Sequence, residues 1–384
     1  MRTPLPVGPA RAWVDVDLDA LVANARTIAA RAGRPLLPMV KANGYGLGAT
    51  AVARALEAVA PWGYGVATLE EGAELRAAGL DRPVIVFTPF APAVAAADLY
   101  RAHRLRPVIG DVAGLEAWRT RTGAGPDAPF HLEIDTGMSR GGVRWNDTAA
   151  LDALAEALRD AAGWEGVFTH FHSADCDPAS AAVQWERFEG VLARLPRRPP
   201  LVHAANSAGA LLDRGYAGDL VRPGIHLYGG ACGGEPAPQP VAALRARVVA
   251  LRTVQPGETV SYGATWRAEV PTTIATLGIG YADGVPRALS NGGRVEIGGE
   301  IVSVAGRVTM DMTMIALASP PAARVAVGDV ATLYGGRVSL DEQAARAGTI
   351  GYELLTALGP RLPRRYHGGP HGGPHGGTRS TETA

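Results

Sequence analysis

Two cysteines in 384 residues, Cys176 and Cys232, leave almost no material for a disulfide framework. One bridge would be a minor staple in a chain this long, so a reduced, cytoplasmic protein is expected. An excess of charge of either sign is also lacking, since Lys+Arg and Asp+Glu both number 37. A net charge of zero argues against nucleic acid or an anionic membrane as the main partner, but leaves room for a local basic pocket. No apolar run approaches the roughly 20 residues that a membrane-spanning helix needs. The opening MRTPLPVGPARAW has a charge but no apolar core of the kind a secretory signal carries. Hydrophobic residues make up 47%, which suits a large core, and the length suits two domains.

From about Leu36 to Tyr228, short β-branched runs alternate with Ala-rich helical patterns. The strand candidates are LLPMVKA (36–42), WGYGVAT (62–68), VIVF (84–87), RPVIG (106–110), FHLEIDTG (130–137), GVFTHF (166–171), LVHAANS (201–207) and DLVRPGIHLYG (219–229). Between them, Val52, Leu56 and Val59 recur at helical spacing before Pro61. Leu21, Val22, Ala25, Ile28 and Ala29 form a stripe that Asp17 or Asp19 can cap and Gly33 can end. Eight strands with intervening helices predict an α/β fold, a (β/α)₈ TIM-like barrel.

At about 230 the texture changes. GGACGGEPAPQP (229–240) reads as a linker, and the β-rich stretches after it predict a mostly β C-terminal domain. The expected division is an extension over 1–11, a strand over 12–18 that joins the C-terminal domain, a barrel over 19–235, the β domain over 236–366, and a disordered His/Gly/Pro tail over 367–384. The tail histidines His367, His371 and His375 are expected to have only incidental metal affinity.

Lys41, in VKANGYGLG, follows a strand and precedes a glycine-rich loop, a catalytic position in a barrel. A lysine with a buried stem can lose its proton and attack an aldehyde, although a strand-end lysine snorkelling to solvent reads the same way. Loops after strands seven and eight usually bind phosphate in barrels. Here they offer Ser207 and the backbone N–H groups of Gly224 and Ile225. Arg222, always protonated, would leave a pyridine nitrogen unprotonated if it donated to it, or would simply pair with Asp219.

Nine motifs then establish a resemblance: VKANGYGLG, DTGMSRGGV (135–143), FTHFHSAD (168–175), HAANSAGAL (203–211), RPGIHLYG (222–229), SYGATW (261–266), GIGYADG (278–284), GRVTMDM (306–312) and RLPRRY (361–366). In this order, from about 11 to 366, the chain resembles the alanine racemases. These are isomerases of the fold-type III class that use pyridoxal 5′-phosphate (PLP) and supply D-alanine for peptidoglycan. The resemblance implies a cytoplasmic homodimer with active sites at the subunit interface and a small amino-acid substrate. Lys41 would be the Schiff-base lysine. Tyr45, Ser207, Gly224, Ile225 and Tyr366 would bind the cofactor's phosphate, with Arg222 on its ring nitrogen.

Arg140 would lie near the cofactor's phenolic oxygen and the substrate carboxylate, and the Met310 N–H, from the partner subunit, would contact that carboxylate. Tyr281, from the partner subunit, would be the second acid/base, since racemisation needs a proton-transfer group on each face of the α-carbon. His170 would join the cofactor's network between Arg222 and Tyr281, and His203 would sit behind Arg222. Asp311, like Glu133 and His203, would lie just behind the residues that make contact.

Two positions depart from the family's pattern. Glu133 stands where many relatives carry a lysine that orients the motif arginine, and would supply a carboxylate to Arg140 directly. Thr309 replaces a common cysteine, near a corridor expected to include Arg307 and Tyr262.

The rival readings are a serine or broad-specificity racemase, a non-catalytic PLP carrier, a basic-amino-acid decarboxylase, and a metal-dependent barrel hydrolase. The last would use His170, His172, Asp175, Cys176 and Asp177. The single pair of histidines on a middle strand argues against the hydrolase, with no resident metal, and the GYADG and RLPRRY motifs argue against the carrier, while alanine, serine and broad-specificity racemases share this architecture and the sequence leaves the choice among them open.

Overall fold

The computed structural model describes residues 10–91, 97–123, 125–212, 214–317 and 324–369. His371 and His375 lie outside them. The described residues open with β1 (Ala12–Asp17) and α1 (Leu18–Ala32). Asp17 caps α1, its Oδ1 accepting from the Ala20 N–H at 2.9 Å, and Gly33 ends it at φ 63°.

The barrel's first strand is the segment 36–40. It is followed by β2 (Tyr64–Val66), β3 (Val84–Pro89), β4 (Leu105–Ile109), β5 (Phe130–Asp135), a short β6 (Val143–Arg144) beside β5, β7 (Trp164–Phe168) and β8 (Leu201–His203). All run parallel. Bridges Met39–Gly65 and Leu36–Val221 close the ring, with 219–222 as the eighth stave. A left-handed turn, α2 (Lys41–Tyr45), follows the first strand, and the outer helices are α3 (Ala49–Leu56), α4 (Leu69–Ala77), α5 (Ala97–Ala102), α6 (Val112–Thr122), α7 (Thr148–Leu158), α8 (Pro178–Leu192) and α9 (Ser207–Leu211).

Successive residues of a strand face opposite sides, so every second residue enters the barrel. Leu37, Ile85, Val108, Phe168 and Leu220 form one apolar layer inside it. One step further along their strands come Met39, Phe87, His170 and Arg222. A further step reaches Lys41 and Gly224 at the rim. The same period of two that fills the core therefore delivers the polar groups to the barrel's C-terminal mouth.

Two strands end earlier than the sequence suggests. The first stops at 40 because the chain turns left-handed after Lys41. The eighth ends at Pro223, whose carbonyl still accepts from the Met39 N–H at 2.9 Å but which has no N–H to give a ladder, and 225–228 form a 3₁₀ turn.

The C-terminal domain comprises β9 (Ala242–Val254), β10 (Thr259–Val260), β11 (Trp266–Arg267), β12 (Thr272–Leu277), β13 (Arg294–Ile297), β14 (Glu300–Val304), β15 (Thr313–Leu317), β16 (Val330–Tyr334), α10 (Leu340–Arg346), α11 (Gly351–Thr356) and β17 (Arg364–His367). The long β9 pairs with β1 and β16 through its first half and with β12 through its second, so the antiparallel path returns on itself. β1 lies between β9 and β17. His367 completes β17, one residue past the boundary expected for the tail, with its Nε2 3.2 Å from Asp15 Oδ1. No described helix is long and apolar enough to cross a membrane. Cys176 and Cys232 are both free thiols.

Candidate active site

Lys41 is the only lysine in the chain; every other basic side chain among the 37 is arginine. It stands at the mouth of the barrel, half-buried, with no hydrogen bond or ion pair among the described residues. Burial lowers its pKa, the nearby Arg140 charge lowers it further, and Glu71 opposes both.

Behind Lys41 the backbone makes a left-handed turn. Ala42, Asn43, Gly44 and Tyr45 all have φ between 53° and 62°. For a non-glycine residue this costs roughly 1–2 kcal/mol, and several fixed contacts offset it. Glu71 Oε1 accepts from the Ala42 N–H at 2.6 Å, and Asn43 Oδ1 from the Ala49 N–H at 3.0 Å. Arg364 donates to Gly46 O at 2.8 and 3.0 Å, and the Tyr366 hydroxyl to Leu47 O at 2.9 Å. The last strand of the β domain thus grips the lysine's loop.

Tyr45, buried, stacks on Tyr228 with ring centroids 4.4 Å apart. The Tyr228 hydroxyl donates to Met39 O at 2.8 Å. Opposite Tyr45, a Cβ at Gly224 would collide with the Tyr45 hydroxyl. The Gly224 N–H donates to Ser207 Oγ at 2.8 Å. Ser207 is the first residue of α9, and Ile225 the first of the 3₁₀ turn. Two helical starts, a hydroxyl and a phenol therefore converge on one glycine-lined cradle, a donor set suited to a phosphate. Tyr366 reaches this loop too, with its hydroxyl on Leu47 O rather than in the cradle.

Arg222 is buried on the eighth stave. Its Nη2 donates to Thr169 O at 2.8 Å and Ala204 O at 2.9 Å, and lies 3.2 Å from His170 Nδ1. Its Nη1 donates to His203 Nδ1 at 2.7 Å. It does not pair with Asp219, which instead binds Arg198 at 2.6 Å. Burial draws its pKa down to about 9, against the opposing pull of Glu133, so it stays protonated at neutral pH. Burial first, then Arg222, holds His170 and His203 well below the ordinary value, and both are neutral.

An arginine can only donate, so His203 Nδ1 accepts and its Nε2 carries the proton toward His131 Nδ1, 3.0 Å away. His131 Nε2–H then meets Glu165 Oε2 at 3.0 Å, which Arg106 also holds at 2.6 Å. This relay through the barrel interior was not anticipated. Its signal was present in β5, where His131, Glu133 and Asp135 repeat at intervals of two in a fully buried strand.

The DTG motif folds around Asp135, whose Oδ1 accepts from the Gly137 and Ser139 N–H groups at 3.0 Å each. This turn carries Arg140, exposed at the mouth. Glu133 is buried beneath it, but makes no ion pair with Arg140. Burial raises the Glu133 pKa, while Arg140 and then Arg222 pull it down. The two groups are coupled through space, not by the direct contact the sequence suggested.

Tyr281 and Met310 stand apart. Both are exposed, on adjacent turns of the β domain, and no hydrogen bond, ion pair or ring contact joins them to Lys41 among the described residues. Asp311, beside Met310, pairs with Arg361 at 2.9 Å. Tyr262, expected along an entrance corridor, is the most exposed large side chain of this region. Among the described residues no group of three or more His, Cys, Asp or Glu is arranged to hold a metal ion. His172 Nδ1 bonds to Ser173 Oγ at 2.7 Å.

Comparison with known proteins brings these features under one family. The alanine racemase N-terminal domain matches residues 16–232 and the C-terminal domain residues 241–366. The chain belongs to the alanine racemase family. It is 42% identical to the alanine racemase of Acidiphilium cryptum over 357 residues, covering 91% of this chain and 97% of that one. It is 41% identical to that of Deinococcus radiodurans over 369 residues, covering 92% and 99%. Among solved structures, the biosynthetic alanine racemase of Pseudomonas aeruginosa superposes with a TM-score of 0.85 at 36% identity, covering 94% of this chain and all of that one. The alanine racemase of Bartonella henselae, solved with covalently bound pyridoxal phosphate, gives 0.86 at 32%, with the same coverage.

Proposed function

We propose that the chain is a PLP-dependent alanine racemase that interconverts L- and D-alanine by a two-base mechanism. The observation that carries this reading is the convergence of a sole lysine, a phosphate-shaped cradle and a buried protonated arginine on one barrel mouth. Bound PLP would supply electron withdrawal that makes the substrate's α-proton acidic.

Tyr45, Ser207, Gly224 and Ile225 would hold its phosphate, with Tyr366 bracing the loop from the β domain. Arg222 would donate to its ring nitrogen. A guanidinium only donates, so a ring nitrogen that accepts from Arg222 would stay unprotonated. That would limit electron withdrawal and steer the chemistry away from transamination.

Lys41, with its pKa lowered by burial, keeps a larger neutral fraction than a solvated lysine. It would hold the cofactor's carbonyl carbon and, once displaced there by the substrate's own amine, would be free to move the α-proton on one face. On the other face Tyr281 of the partner subunit would exchange the proton. Arg140 and the Met310 N–H would bind the carboxylate. In a homodimer this places each substrate between a barrel mouth and the other subunit's β domain. Supply of D-alanine for peptidoglycan, in the cytoplasm, is the corresponding cellular role.

The test is incubation of the PLP-loaded protein with L-alanine, and separately L-serine, in deuterated water. The α-proton is followed by NMR and the configuration by circular dichroism. Deuterium uptake with loss of optical activity, fastest for alanine, is the expected result. Uptake with retained configuration, or none, would overturn the reading.

A further inference from the structure

Beneath the exposed Tyr281 turn lies a fully buried carboxylate, Asp283. Its Oδ2 accepts from the Gly280 N–H at 3.1 Å, which closes the turn from within. Arg11 grips it with two donors, Nη2 to Oδ1 at 2.7 Å and Nη1 to Oδ2 at 3.0 Å. Arg361 donates to the same Oδ1 at 3.0 Å. Arg361 then extends Nη1 to Asp311 Oδ1 at 2.9 Å, on the loop that carries Met310. One arginine thus ties the carboxylate under Tyr281 to the carboxylate beside Met310.

The backbones are locked together as well. The Tyr281 N–H donates to Thr309 O and the Ala282 N–H to Met310 O, both at 3.0 Å. Gly280 sits so close to those two carbonyls that a Cβ there would collide with both. The Gly359 N–H donates to Asp283 O at 3.1 Å, anchoring the segment that bears Arg361. The turn and the loop are therefore bonded into one unit.

We propose that Asp283 and Arg361 are positioning residues that fix the Tyr281 hydroxyl and the Met310 N–H relative to each other, so both meet one substrate in the partner subunit. This rests on the shared-site reading given above. Small displacements of a reacting group weaken catalysis steeply, so a loosened clamp shows in rate before it shows in folding. Arg361 is the informative position, because its side chain is 44% exposed and its removal empties no core.

The experiment compares PLP-loaded wild type with Arg361→Met, Arg361→Lys, Asp311→Asn and Tyr281→Phe. It measures cofactor content, thermal unfolding, and kcat and KM in both directions. Arg361→Met is expected to keep its cofactor and unfolding temperature. Its kcat should fall about tenfold, more in one direction than the other, in the same sense as Tyr281→Phe. Arg361→Lys should recover part of the loss. Asp311→Asn should raise KM through the Met310 loop with little effect on kcat.

Unchanged rates for Arg361→Met, or a loss equal in both directions that follows lost cofactor or lost folding, would overturn the proposal. A Tyr281→Phe variant with near-wild-type rates in both directions would instead overturn the shared-site reading on which it rests. An asymmetric Tyr281→Phe beside a symmetric Arg361→Met would overturn the clamp alone.

Discussion

His203 Nδ1 accepts a hydrogen bond from Arg222 Nη1 at 2.7 Å, deep in the barrel. That contact fixes the tautomer of His203 and, one step on, that of His131. The line ends on Glu165, a carboxylate held by His131 and Arg106 on the other side of the barrel core.

Glu165 gives the relay a measurable signature. Burial alone would raise its pKa, but the bonds from His131 and Arg106 outweigh it and draw it down to about 2. A depressed carboxyl stabilises the fold above its unfolded pKa, and that stability is lost as pH falls toward the folded value. Wild type should therefore lose about 3 kcal/mol between its ordinary value near 4.5 and about 2. Urea unfolding of Glu165→Gln over this window should show a loss smaller by that amount. An identical loss would remove Glu165 from the relay.

Lys41→Met should abolish capture of PLP. Because Lys41 is the only lysine, borohydride reduction of the loaded wild type should label one lysine peptide, found by mass spectrometry. Its lowered pKa also fixes a sign. The unfolded chain binds this proton more strongly, so stability of the cofactor-free protein should rise with pH from the lowered value up to 10.5. The Met variant should lack that rise.

Gly224→Ala places a methyl against the Tyr45 hydroxyl, and the stack on Tyr228 keeps Tyr45 from swinging aside. Absorbance titration with PLP should show affinity reduced about tenfold or more, a loss of at least ~1.4 kcal/mol. Unchanged affinity would exclude this cradle as the phosphate site.

Tyr281→Phe removes one of the two proposed proton carriers while keeping the ring. The L-to-D and D-to-L half-reactions should be slowed unequally, by about a hundredfold or more in the worse direction. Single-turnover α-deuterium exchange reads each direction separately.

Glu133→Gln retains shape and removes the charge that faces Arg140 and Arg222. Steady-state kinetics should show a KM for alanine raised several-fold, with cofactor content unchanged. An unaltered KM would end the orienting role of Glu133.

Much of this was legible in the chain itself. Eight β-branched runs with helical spacers gave the barrel, and its strand ends gave the candidate cradle, because a period of two is visible in sequence. The left-handed turn after Lys41 was not legible. VKANGYG reads as strand and loop, and contacts from Glu71, Arg364 and Tyr366, far away along the chain, help hold it otherwise. The His131 relay was missed because FHLEID looks like a half-exposed strand, whereas its polar residues face the barrel interior. The Asp283 clamp joins residues 11, 283, 311 and 361, and no local pattern announces a meeting of four such distant positions. The lone lysine needed no structure at all, only a count.

The placement of β1 between β9 and β17 has a consequence for how the protein is made. Val14 pairs with Leu244 on one side and Arg364 on the other. A ribosome releases the first of these strands long before it makes the last. Until then β1 carries an open edge, and an open edge invites pairing with other chains. The closed path of the β domain is complete once β16 is made, but the edge of β1 stays uncovered until the final strand follows. Chains cut short before Arg364 should therefore aggregate and not merely lose activity, because the strand they lack would have covered one that is already there.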